Sequence, residues 1–173
     1  FDPEMDLAED GDFFVRLLYH AGEATILPAW VSLYRLRDND RTGGGPAASR
    51  GYRRVLDKAY SLPDLPDAVL RERPRVYAHL HMVCGCRAYA VQDAEHAREQ
   101  LNAALELDAA YVETELPTII PRFAGFRLSD PRPYVEYVMD NLPPSLAMLS
   151  SRKKDIYRAF LERQANSLSA ITN

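Results

Sequence analysis

From Tyr52 onward the chain carries one kind of hydrophobic rhythm, and it is helical. Tyr52, Val55, Leu56 and Ala59 recur at the spacing that gathers apolar groups on one face of a helix. After Arg37 no alternating apolar–polar run of strand type with turn punctuation appears. Prolines cut the rhythm into lengths. Pro63 and Pro66 end the first helix, Asp67 to Arg73 suits a short one, and Pro74 favours the first turn of the next because its ring pre-sets the backbone angle. Pro117 and Pro121 each remove a backbone donor, so any helix between Tyr111 and Phe126 should break or kink there. Asp130-Pro131-Arg132-Pro133 opens a helix with Tyr134, Val135, Val138 and Met139 on its apolar side, and Leu142-Pro143-Pro144 closes it. A last helix is expected to start at Ser150 or Ser151, with Ile156, Tyr157, Phe160 and Leu161 as its buried stripe. The expected fold class is mainly α.

Within this pattern, Arg75 to Asp108 holds Gly85, the turn-like Gln92-Asp93, the small or apolar Ala97, Leu101 and Ala104, and a closing Glu106-Leu107-Asp108. The segment resembles one tetratricopeptide repeat, a pair of antiparallel helices of about 34 residues. The resemblance implies a first helix over Arg75–Val91, a second over Ala94–Leu107, and close crossing at Gly85. Two positions depart from the repeat: Ala109 stands where its closing proline would be, and the first-helix aromatic is displaced to Tyr89. One such hairpin cannot bury its own apolar face. Neighbouring helices are expected to cover it, making a small α domain over 51–173.

Upstream, Arg41-Thr42-Gly43-Gly44-Gly45-Pro46 cannot hold regular structure, so a flexible linker is expected over 41–50. Before it, FDPEMDLAEDGDFFVRLLYHAG puts Glu9, Asp10 and Asp12 at the start of an amphipathic helix that stops at Gly22. Acids there favour the positive end of the helix dipole by about 0.3–1 kcal/mol each. The same residues resemble the late catalytic segment of family 2 (GT-A type) inverting glycosyltransferases. The match runs through the turn Phe1-Asp2, the pair Glu9-Asp10, the Arg16 of FFVRLL, Gly22, and the Tyr34-Arg35 of the strand-like ATILPAWVSLYRLR. It covers residues 1 to about 40, and Arg37 replaces a frequent family histidine.

The resemblance implies transfer of a sugar from a nucleotide-diphosphate donor to the hydroxyl of a glycan or other acceptor, with inversion. Asp10 would be the general base, with Glu9 beside it, and Asp12, Arg16, Trp30, Tyr34 and Arg35 would meet substrate. Such enzymes use a divalent ion, Mg or Mn, usually held by an Asp-x-Asp pair that neutralises the diphosphate. Asp38-Asn39-Asp40 has that spacing but lies in a polar, glycine-leading segment, not at a strand end. Residues 1–40 are thus expected to be the helix-plus-strand edge of a GT-A α/β catalytic domain. The chain would be the C-terminal region of the enzyme, inactive by itself and binding no metal. The alternative is a tetratricopeptide-like binding module without a catalytic role, in which Tyr52, Tyr60, Tyr77 and Tyr89 line a surface for a peptide or glycan.

Charge and cysteine usage narrow the partners. A net charge of −4, with arginines scattered among acids, argues against a nucleic-acid or anionic-membrane binder, because phosphate backbones reward clustered positive charge. No apolar run reaches the roughly 20 residues needed to span a bilayer. Cys84 and Cys86 are separated only by Gly85, a poor geometry for a disulfide, so a reducing cytoplasmic setting is expected. His79, His81, Cys84 and Cys86 are zinc-ligand types, but on a helix they divide between faces, which favours small buried thiols over a metal site. The helical part leaves room for a protein partner or a second copy of the chain.

Overall fold

A computed structural model describes residues 1–25, 45–124, 132–158 and 161. Among these residues the regular structure is entirely helical: α1 (Glu9–Ala21), α2 (Pro46–Ala59), α3 (Asp67–Arg71), α4 (Arg73–Ala90), α5 (Ala94–Ala124), α6 (Arg132–Asn141) and a 3₁₀ helix (Pro144–Arg152). The rest of the strand-like run, residues 26–37, and positions 41–44 of the expected linker lie outside the described residues. Residues 46–50 of that linker form the start of α2. Pro46 sits at its first turn, where a missing N–H costs nothing, and Gly45 occupies the N-cap.

The boundaries follow local chemistry. α1 stops at Gly22, whose left-handed backbone (φ 77°) lets its N–H reach the Leu18 carbonyl at 2.9 Å. α4 and α5 are joined by a short turn containing Gln92 at φ 62°. The Asp93 carboxylate then accepts from the His96 N–H at 3.1 Å and starts α5. α5 is interrupted where Asp108 leaves helical geometry (φ −159°, ψ 83°), and the same residue caps the next helical stretch by accepting from the Tyr111 N–H at 3.0 Å. The expected break at Pro117 and Pro121 is corrected, because helix continues through both. Their faces are buried along with Val112, Leu116, Ile119 and Ile120, and this burial outweighs the loss of two donors.

The helical hairpin lies where its residues placed it. Gly85 sits against α5 so closely that a Cβ there would be 3.2 Å from the Ala97 carbonyl oxygen and 3.1 Å from Leu101 Cγ. Ala97, Leu101 and Ala104 are fully enclosed. One core joins them to Met82, Cys86 and Tyr89 of α4, to Tyr134, Val135, Val138 and Met139 of α6, and to Leu146, Leu149 and Ile156 beyond it. Two tyrosines fasten α6 across the hairpin: Tyr89 Oη donates to the Asn141 carbonyl at 2.7 Å and Tyr134 Oη to the Cys86 carbonyl at 3.0 Å. The C-terminal stripe is corrected in part. A 3₁₀ helix precedes residue 153, Ile156 is buried, Tyr157 is half-buried, and Leu161 is exposed. Phe160 lies outside the described residues.

Candidate functional site

The three N-terminal acids meet different fates. Glu9 and Asp10 lie exposed on the first turn of α1, where Asp10 Oδ1 accepts from the neighbouring Gly11 N–H at 2.7 Å. Asp12 faces α2 and is 2% exposed. Its Oδ2 accepts from Arg16 Nε at 3.0 Å and Nη2 at 2.9 Å, and its Oδ1 from Lys58 Nζ at 2.6 Å. Lys58 also donates to Asp2 Oδ2 at 2.7 Å, and Arg54 reaches the Glu4 carboxylate at 3.1 Å. Burial pushes the Asp12 pKa up, but the hydrogen bonds from Lys58 and Arg16 outweigh it and leave the carboxyl below its usual range. The Lys58 hydrogen bond and then the Glu4 N–H lower Asp2, and the bonds to Asp12 and Asp2 raise Lys58. Asp12 therefore fastens α1 to α2 through Lys58, with Arg16 of its own helix holding its other oxygen, whereas Glu9 and Asp10 face outward. Trp30, Tyr34 and Arg35 lie outside the described residues.

A divalent ion does not fit here. Both Asp12 oxygens are occupied, and among the described residues no group of three or more His, Cys, Asp or Glu side chains is arranged around a cation. His79 Nδ1 pairs with Tyr111 Oη at 3.0 Å, and His81 Nδ1 with Gln100 Oε1 at 2.8 Å. Cys84 and Cys86 are buried, and burial pushes the Cys86 thiol up to about 12. The four tyrosines do not form one surface: Tyr60 and Tyr77 pack together at 5.8 Å between ring centroids, while Tyr52 and Tyr89 have other partners. Tyr52 accepts from Arg87 at 2.7 Å, Tyr60 and Tyr77 flank Arg73, Tyr77 also donates to Asp57 at 2.6 Å, and Tyr89 is enclosed.

A second constellation was not read from the sequence. α2, α4 and α5 border a cleft of about 220 Å³ whose lining includes Ser49, Arg50, Arg53, His81, His96, Glu99 and Gln100. Ser49 Oγ lies 2.9 Å from His96 Nε2, and His96 Nδ1 lies 3.4 Å from Glu99 Oε2. The His96/Glu99 half is visible as an i, i+3 pair on one helix. Ser49, 47 residues earlier, carries no local sign of the partnership.

These features define a small α-helical unit with an acid-bearing N-terminal helix and a polar inter-helix cleft. No helix among the described residues is long and apolar enough to cross a membrane. The chain matches no protein-family model, no curated protein and no solved structure.

Proposed function

We propose that α1 is the acceptor-side edge of an inverting GT-A type glycosyltransferase, with Asp10 as the general base. The observation that carries this reading is the division of labour between two carboxylates two residues apart. Asp12, held by Arg16 and Lys58, anchors the helix, while Asp10 projects into solvent where an acceptor hydroxyl can approach. A carboxylate suits the role because it takes the proton as attack on the anomeric carbon acidifies the hydroxyl. Glu9 flanks the base, and Trp30, Tyr34 and Arg35 would contact acceptor or donor. The nucleotide, the diphosphate and the divalent ion would be held by residues outside the described helices, and the helical unit would be an extension of the catalytic domain. In the full-length protein, Asp10→Asn should lower sugar transfer roughly 10²–10⁴-fold with donor affinity nearly unchanged. Near-normal turnover would reject the assignment. A second reading, a helical binding module, is favoured by the cleft between α2 and the hairpin.

A further inference from the structure

The cleft contains more than a helix-to-helix hydrogen bond. Glu99, a carboxylate, accepts at Oε2, so with His96 Nδ1–H donating to it at 3.4 Å, Nε2 is the acceptor for the Ser49 O–H at 2.9 Å. This is the imidazole tautomer that leaves Nε2 free to take a proton from the serine, with a carboxylate behind the ring to orient it and balance a positive charge. The ring's backbone is fixed by the His96 N–H bond to Asp93. A contact that merely fastens α2 to α5 needs the Ser49–His96 bond alone. It needs neither a carboxylate on the far nitrogen nor a cleft beside the hydroxyl.

The rest of the cleft supplies recognition groups. Gln100 Oε1 is engaged by His81, which leaves its amide N–H groups as donors for a developing oxyanion. Arg50 has no ion pair among the described residues, and Arg53 makes only a long, exposed one to Asp57 at 3.8 Å. At about 220 Å³ the space is below the 300–1,000 Å³ of sites for drug-sized ligands, so a small substrate is required.

We propose that Ser49, His96 and Glu99 act as nucleophile, base and orienting carboxylate in hydrolysing small carboxylic esters whose acyl group carries a negative charge, held by Arg50 and Arg53. Ser49 Oγ bonds to the acyl carbon as its proton passes to His96 Nε2. The carbon–oxygen bond to the alcohol then breaks, and Nε2 returns the proton to the leaving oxygen. Water, deprotonated by the same nitrogen, attacks the acyl-serine, releases the acid and restores Ser49 with its proton. Glu99 stays ionised throughout. This activity goes beyond the glycosyltransferase reading and shares none of its residues.

The test treats the full chain with an alkyl fluorophosphonate and maps the adduct by peptide mass spectrometry, alongside hydrolysis of 4-nitrophenyl acetate and mono-4-nitrophenyl succinate. A single adduct on Ser49 is expected, absent in Ser49→Ala. His96→Gln should slow both labelling and hydrolysis about 100-fold or more. Glu99→Gln should slow them about tenfold, and because Glu99 is largely exposed this variant keeps its fold. Arg50→Ala should raise KM for the succinyl ester without raising it for the acetyl ester. Absence of a Ser49 adduct would overturn the proposal even if Ser49→Ala did not fold. So would Glu99→Gln labelling at the unaltered rate, the result a purely structural Ser49–His96 contact predicts.

Discussion

Replacing Lys58 with Met removes one cation that serves two carboxylates at the α1–α2 contact. At an effective dielectric of about 20, unit charges a few ångströms apart attract by roughly 4–6 kcal/mol before desolvation is counted. The Lys58 side chain is 31% exposed and that of Asp12 only 2%, so the pair lies between a surface bridge worth about 0–1 kcal/mol and a buried one whose disruption costs about 3–5. Arg16 remains on Asp12 Oδ2, but Oδ1 loses its donor while still enclosed. The expected loss is about 1–3 kcal/mol, or about 2–4 °C in Tm for each kcal/mol in a chain of this size. Urea melts at neutral pH, followed by circular dichroism, measure it. The double variant Lys58→Met with Asp12→Asn should lose less than the two single losses combined, because the charge left stranded is gone. A Lys58→Met protein within about 0.5 kcal/mol of the parent would refute the reasoning. It would then be Arg16 alone that holds Asp12.

The same network sets a pH window. Asp2 and Asp12 titrate below their ordinary value, so their contribution is complete above about pH 4 and is lost as pH falls through the depressed values; Lys58 is raised, so its share is complete below about pH 10 and is lost on further rise. Acid melts of Lys58→Met should show a shallower decline than the parent. At the hairpin, Ala104→Phe should cost about 1–3 kcal/mol by overpacking a fully enclosed position, whereas Ala94→Phe at the partly open helix start should cost less; equal tolerance in denaturant melts would remove the close-crossing model. Cys86, enclosed and with its thiol raised to about 12, should resist alkylation at pH 8 in the native protein and react at the global unfolding rate, and rapid labelling without denaturant would contradict its burial.

Sequence by itself determined the features that depend on neighbours along the chain. The stop at Gly22 and the buried side of α6 were legible because periodicity and capping act within one or two turns, whereas the Ala97-Leu101-Ala104 face and the closeness at Gly85 were expected from the resemblance to a helical repeat. Proline misled for the same reason: its local penalty at 117 and 121 was visible, but not the burial that overrides it, and the real interruption came at Asp108, whose side chain caps the following segment. Leu161 was misjudged because the apolar stripe was carried a turn too far. The candidate sites divided along this line. Three clustered acids could be read as a helix start and matched to a family pattern, but only the packing of α1 on α2 separated an anchored Asp12 from an exposed Asp10. Ser49 and His96 meet across 47 residues only because α2 lies against the hairpin, and long-range burial of that kind leaves no periodic trace in the chain.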